Sequence, residues 1–275
     1  MAEFRSFSCF PEIAVESRWF TVWQIVPGVK AIFEPHHFQK VISWLIEGHS
    51  GAVLFDSGMG IGSMKAVVSS LTDKPVSLVC SHSHFDHIGG AWEFGEAHIL
   101  NNPDAVSVLE TGLSLPQNDE NRSAEAFSLE GSPWFDRETF RAKPCRAVPV
   151  EAGHVFGLGS RDLRVVPASG HSADGIMLAD DKNHLLFTGD TVYPGPLYAF
   201  LQGADGPEIY CRTLESLAEE FSGYTLLCSH NAPVMAGGAL GEMAAAFHAV
   251  HDGRTAGYAY MNHRRYDFEG FSLVL

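Results

Sequence analysis

The stretch HSHFDH, His82–His87, concentrates three imidazoles and a carboxylate just beyond the apolar run Val76–Val79. In an extended segment, residues two apart face the same way, so His82 and His84 can bind one cation together. If the chain turns into a helix after Phe85, Asp86 and His87 are redirected toward a second ion nearby. Imidazole nitrogens and carboxylate oxygens suit zinc, with iron and manganese as substitutes. Three more candidate ligands follow apolar runs downstream: His171 in SGHSAD, Asp190 in LLFTGD and His230 in LLCSH. Ligands gathered along one sheet edge are what a two-metal site needs. A carboxylate such as Asp190 has two oxygens with which to bridge the pair.

The elements that must position these groups are legible as short runs. FTVWQIV, VKAIFE, KVISWLIEG and GAVLFDSG read as strands broken by Pro-Gly, Gly-His-Ser-Gly and Asp-Ser-Gly turns. GSMKAVVSSLT has the spacing of an amphipathic helix, PVSLVCS reads as a buried strand, DHIGGAWEFG opens another helix, and AHILNN is a further strand. Asp86 falls near a helix N-terminus, where a carboxylate is electrostatically favoured. The second half is patterned alike, with RDLRVVPAS, GIMLADD, HLLFTGD and YTLLCSHNA as strands and PEIYCRTLESLAEEF and GALGEMAAAFHAVHDG as helices. LVCSH is echoed by LLCSH, and VLFDSG by LLFTGD. Between them lies a polar excursion, which after the helix-like NNPDAVSVLETG lacks apolar periodicity. A helical insertion, a mobile flap and a plain loop are its three readings.

The 275 residues carry a net charge of −15 with 18 Lys and Arg, which opposes a nucleic-acid partner. The most basic segment, NHRRYDF, reads as a solvated tail. No apolar run approaches the roughly 20 residues needed to span a bilayer. The first residues lack a basic start and an apolar core, so the cytoplasm is the expected location and no membrane partner is expected. Five widely spaced cysteines with no C-x-x-C pair suit a reducing compartment, and Cys80 and Cys228 are expected as buried thiols.

The order H-x-H-x-D-H, G-H-S, T-G-D and S-H resembles the metallo-β-lactamase superfamily, from VLFDSG to His230. The resemblance implies an α/β fold, an αββα sandwich of mixed sheets with helices outside. It is read as a single domain over residues 1–275, with an excursion at about 103–145. By the same resemblance, His82, His84 and His171 hold one metal, Asp86, His87 and His230 hold a second, and Asp190 bridges them. Two divalent cations are thus the implied cofactors, zinc first, iron or manganese otherwise. Asp56 matches an aspartate that orients a ligand histidine instead of binding metal. The implied reaction is hydrolysis: a water shared by the ions ionises near neutral pH and attacks a carbonyl that one ion polarises. Tyr193, three residues after Asp190 as in the quorum-signal lactonases, is the expected donor to the oxyanion. Asp86 is a candidate proton carrier.

Departures from individual branches narrow the reading. β-Lactamases of the family generally place Cys or Ser where Asp190 stands, and the flavodiiron branch replaces His84 with Glu. Glyoxalase II carries a longer C-terminal helical region, and lactonases a shorter segment between His87 and His171. The run FDHIGG…GHSADG…FTGDTVY most resembles the acyl-thioesterase-like relatives of glyoxalase II. The expectation is a hydrolase of a thioester, ester or lactone carbonyl, acting on a small molecule with a hydrolysable acyl group. The alternatives are a β-lactam-hydrolysing enzyme and a metal-binding module without turnover. His36, His37 and Phe38 in EPHHFQ and Tyr198 in YPGPLYAF are candidate substrate contacts, and SPWFDRETF is a candidate cover. His49, His98, His154, His184, His248, His251 and His263 are expected as structural or surface residues. His248 and His251 share a helical face with no third ligand nearby in sequence. The oligomeric state, dimer included, stays open.

Overall fold

The computed structural model describes residues 4–129, 135–201 and 206–275. The chain divides into two compact units, Ser8–Asp162 and the remainder from Leu163 to Leu275 joined by the residues up to Phe7.

In the first unit six expected apolar runs, with Glu12–Ile13 and Arg146–Val150 added at the two edges, form an eight-stranded sheet. Its spatial order is Arg146–Val150, Glu96–Leu100, Val76–Val79, Ala52–Phe55, Ile42–Glu47, Val29–Phe33, Thr21–Val26 and Glu12–Ile13. The strands between Glu12 and Phe55 pair antiparallel, and the last four in sequence run parallel. Parallel strands are covered on both faces, which explains why AVLF is wholly apolar and all four of its residues are buried. Among the described residues this unit has three α-helices: α1 (Met64–Leu71), the single turn α2 (Phe85–Ile88) and α3 (Pro103–Thr111). Ser63 caps α1 by accepting from the Ala66 amide. Asn102 caps α3 by accepting from the Asp104 and Ala105 amides, with Pro103 in the first turn. Trp19, Phe20, Leu45, Leu54, Met64 and Leu109 belong to one buried core.

The excursion is held together by short local turns. Beyond α3 its described residues form a two-residue strand pair, Leu113–Ser114 with Arg141–Ala142, and three isolated 3-10 turns. Side chains of Asp119, Ser123 and Asp136 cap those turns, so local polar bonds replace the missing apolar periodicity. Arg122 is the knot. Its guanidinium donates to the carbonyls of Leu115, Pro116, Arg137 and Glu138, although the residue is largely buried. Phe127 packs its ring against Trp19, His37 and Phe135, and His37 bridges to Phe127 through the backbone. Ser132, Pro133 and Trp134 of the expected cover lie outside the described residues.

In the second unit the strands Phe4–Arg5, Val234–Ala236, Thr225–Leu227, Leu185–Phe187, Ile176–Asp180 and Asp162–Pro167 lie side by side in that order. Two helices, α4 (Pro207–Phe221) and α5 (Ala239–His251), pack with them. Tyr210, Cys211, Leu214, Leu217 and Phe221 are the buried residues of α4, the stripe its 3.6-residue spacing predicts. NHRRYDF is not a solvated tail. His263–Phe268 is a paired strand between Tyr258–Tyr260 and Phe271–Val274, and the latter is parallel to Pro196–Tyr198. The signal was the Glu269-Gly270 turn, where Gly270 takes φ +83°, followed by the apolar FSLV. The two sequence echoes fall on matching positions: each unit sets its FDSG or FTGD strand parallel to its CSH strand. The mixed α/β class expected from the sequence is therefore what the structure has, and no helix among the described residues is long and apolar enough to cross a membrane.

Candidate metal centre

Each unit carries a cluster of the candidate side chains. In the first, Phe55 pairs with Val79 in parallel register, so both strands end side by side and Asp56 stands against Ser81. Asp56 adopts φ +67°, a left-handed conformation that aspartate tolerates better than most residues. Its Oδ1 accepts from the Ser81 amide at 2.6 Å; its Oδ2 accepts from Ser81 Oγ at 2.9 Å and from His87 Nδ1 at 2.8 Å. A carboxylate only accepts, so the His87 proton belongs on Nδ1 and Nε2 is the unprotonated nitrogen. The same logic passes through Ser81. Its hydroxyl proton goes to Asp56, its oxygen accepts from His82 Nδ1 at 3.0 Å, and Nε2 of His82 is likewise unprotonated. Asp56 thus orients two histidines, one directly and one through Ser81.

His84 sits at the N-cap of α2 with extended backbone, and Asp86 falls in the first helical turn. The rings of His82 and His84 lie 4.4 Å apart and those of His82 and His87 lie 4.3 Å apart. Asp86 Oδ2 is 3.7 Å from His87 Nε2. Glycines 89 and 90 are needed for contact: a Cβ on Gly89 would meet the Met59 carbonyl at 2.2 Å, and one on Gly90 the Ser57 carbonyl at 2.5 Å. The 57–60 turn can therefore lie directly on the end of α2, where Ser57 donates to the His87 carbonyl through both its amide and its hydroxyl.

In the second unit Phe187 pairs with Leu227, again in parallel, and the turns beyond them carry Asp190 and His230. His230 Nε2 is 3.0 Å from Asp190 Oδ1, and His171 Nε2 is 3.5 Å from Asp190 Oδ2. One carboxylate thus stands between two imidazoles that come from different loops. All three residues are buried. Beneath them lies Tyr210 of α4, whose hydroxyl donates to the Thr191 carbonyl at 2.8 Å and reaches the Asp190 carbonyl at 3.3 Å. A Cβ on Gly170 would come within 2.6 Å of the Tyr210 ring, so glycine is required beside His171. Burial, and then Asp190, push the Tyr210 phenol well above its ordinary range, keeping it a donor.

Other expectations fare differently. Tyr193 donates its hydroxyl to the Pro196 carbonyl and sets its ring 5.0 Å from that of His230. His37 is buried, accepts from the Gln39 amide at Nδ1 and donates from Nε2 to the Asn121 carbonyl. It anchors the excursion, and burial holds its pKa down at about 4. His36 bonds Ser128, Phe38 is exposed and stacks on His37, and Tyr198 meets Phe200 edge-on. Cys80 and Cys228 are buried as expected, and burial pushes the Cys228 thiol up to about 12. Sequence reasoning missed Ser81, Tyr210 and Glu34. Glu34 is fully buried and accepts from Trp19 Nε1 and the Met59 amide; burial raises its pKa to about 7. Only its place in EPHHFQ, beside residues already singled out, hinted at it.

Imidazole nitrogens and carboxylate oxygens without thiolate form a donor set that fits zinc, iron or manganese. The family model described as "Metallo-beta-lactamase superfamily" matches residues 40–221. The human protein named acyl-coenzyme A thioesterase MBLAC2 is 31% identical over 171 residues, 58% of this chain and 60% of that protein. The Gallus gallus protein of the same name is 28% identical over 193 residues, 64% of this chain and 67% of its own. The chain thus spans about three fifths of the human relative's length. A beta-lactamase domain protein from Burkholderia ambifaria shares the fold with TM-score 0.60 at 20% identity, over 85% of this chain and 74% of that one. With the family model covering more than half of its length, the chain belongs to the metallo-beta-lactamase superfamily.

Proposed function

We propose that this protein is a dinuclear metal-dependent hydrolase of acyl thioesters. In this reading His82, His84 and His171 hold one cation, Asp86, His87 and His230 hold the other, and Asp190 bridges them. The observation that carries it is the Asp190 carboxylate standing between His171 Nε2 and His230 Nε2, one histidine from each proposed set. The hydrogen bonds in which His82 Nδ1 donates to Ser81 and His87 Nδ1 donates to Asp56 support it further. When bound, such cations act as Lewis acids and lower the pKa of water toward neutrality.

The chain's own residues supply position and proton control. Asp56 and Ser81 hold two imidazoles in the ligand tautomer, and Tyr210 holds the backbone of the Asp190 turn. With its hydroxyl donating to the Pro196 carbonyl, Tyr193 is assigned to packing against His230 in this reading, not to the oxyanion. Asp86 is the proposed proton carrier. Free thiols ionise at about 8.5, so a thiolate leaves with little help from an acid, whereas an amine leaving group needs a proton. That asymmetry, with relatives named acyl-coenzyme A thioesterases, favours thioesters over lactams. His36, Phe38 and Tyr198 are proposed contacts for the acyl portion.

The test is the metal-loaded protein assayed on acyl-CoA, S-acyl-glutathione, acyl-homoserine lactone and a chromogenic cephalosporin, with Asp190→Ala as control. The reading expects kcat/KM to be highest on a thioester and to collapse in the control. A higher value on the lactone or cephalosporin, or no turnover of any of the four, overturns it.

A further inference from the structure

A second cluster of ligand-type side chains lies in the second unit, away from the residues above. Cys211 and Glu215 are four residues apart on α4, hence on one face of the helix. His248 of α5 meets both: its Nε2 lies 2.7 Å from Glu215 Oε1 and 3.6 Å from Cys211 Sγ. The three ligand atoms all lie within 4.8 Å of one another. They border a groove of about 350 Å³ that is also lined by Pro207, Phe247 and Leu275. The sequence alone paired His248 with His251 and offered no third ligand; helix packing supplies two from 33 and 37 residues away.

The chemistry of the three atoms differs from an ordinary surface ion pair. A single imidazole nitrogen faces both a carboxylate and a thiol, and the thiol also lies 3.7 Å from the Ala244 carbonyl, to which it can donate. A divalent cation between the three ligand atoms satisfies all three. Tetrahedral zinc bonds of about 2.0–2.3 Å set neighbouring ligands roughly 3.4–3.7 Å apart. The sulfur–nitrogen separation already has that value, and Glu215 need withdraw by less than ~1 Å. Glu215 and His248 are exposed side chains with room to make that adjustment, while Cys211 is held in the helix interface. The groove leaves space for a water as fourth ligand.

We propose that Cys211, Glu215 and His248 form a mononuclear zinc-type site that clamps α4 to α5. On binding, Cys211 releases its thiol proton to solvent and the thiolate joins the cation, with no change of oxidation state. Burial, with Glu215 adding to it, raises the Cys211 thiol pKa, so in the metal-free state the sulfur keeps its proton. Tyr210, the residue before Cys211, bonds the Thr191 carbonyl, so the clamp sits next to the support of the Asp190 turn.

The full-length protein is loaded with Co²⁺ and with Zn²⁺, and compared with Cys211→Ala, Glu215→Gln and His248→Ala. The wild type should bind one more equivalent than Cys211→Ala. Its cobalt form should show a near-ultraviolet thiolate-to-cobalt charge-transfer band that Cys211→Ala and His248→Ala lack. Glu215→Gln, at an exposed position that cannot unfold the protein, should weaken this equivalent at least tenfold. No ligand proposed for the hydrolytic centre is a thiolate, so the band reports on this cluster whatever the fate of the thioesterase reading. Equal stoichiometry in wild type and Cys211→Ala, absence of the band, or a band that survives in Cys211→Ala would each overturn the site.

Discussion

Replacing Asp56 with Asn changes one atom and should reverse the tautomer of His87. The Ser81 amide donates to Oδ1 at 2.6 Å, so the carbonyl oxygen of an asparagine must take that position. Its NH₂ group then occupies the Oδ2 position, 2.8 Å from His87 Nδ1 and 2.9 Å from Ser81 Oγ. There it donates to Nδ1 and drives the imidazole proton to Nε2, the nitrogen proposed to bind metal. Asparagine tolerates the left-handed backbone at this position, so the strand end need not move. Loss of a partner that orients a ligand typically costs 10- to 100-fold in metal affinity. That range corresponds to about 1.4–2.8 kcal/mol at one of the two proposed cations. Three bonds to a charged acceptor become neutral, each weaker by about 1 kcal/mol, which lowers folding stability by roughly 2–3 kcal/mol. Chelator competition resolves the two equivalents, thermal unfolding reads the stability, and ¹⁵N shifts of the His87 ring report the tautomer directly. Two equivalents with unchanged Kd, or a ring proton still on Nδ1 in the metal-free variant, would refute the reasoning.

Tyr210→Phe keeps the ring beside Gly170 but removes the bonds to Thr191 and Asp190. It should lower stability by about 1 kcal/mol and reduce kcat several-fold at unchanged KM, measured by thermal unfolding and steady-state kinetics. Arg122→Met leaves the carbonyls it knots together without their donor. Limited proteolysis should then cut within 113–145 at least tenfold faster, while the rest of the first unit is spared. The metal-free protein contains two buried groups with opposite pH linkage. Glu34, raised from 4.5 to about 7, holds its proton in the folded state after the unfolded chain has lost it, so stability falls as pH rises through that window. His37, lowered from 6.5 to about 4, does the reverse, and stability falls as pH drops from 6.5 to 4. At 1.36 kcal/mol per pH unit each contributes on the order of 3 kcal/mol, and between about pH 4.5 and 6.5 the two offset each other. His37→Gln should unmask a decline of stability with rising pH there, and Glu34→Gln the opposite slope, both read by urea unfolding across pH. Parallel slopes in the two variants would contradict the assignment.

The seven residues proposed as ligands stand out in the sequence because each belongs to a short motif that follows an apolar run. Strand period and helix turn decide locally which way such residues point. α4 and α1 were legible for the same reason: their apolar stripes, and for α1 its Ser63 cap, are encoded within a few positions. What the sequence did not show is everything that depends on which segments become neighbours. Parallel pairing of Ala52–Phe55 with Val76–Val79 turns an ordinary Ser81 into the link between Asp56 and His82. The close packing of Gly170 on α4 turns a core tyrosine into the support of the Asp190 turn. Arg122 became a knot, and His248 gained Cys211 and Glu215, through contacts between residues well separated along the chain. Identity and short-range spacing specify which atoms can donate, accept or ligate. Which of them meet is settled by sheet register and helix packing, where the burial of apolar surface from the whole unit outweighs any local preference.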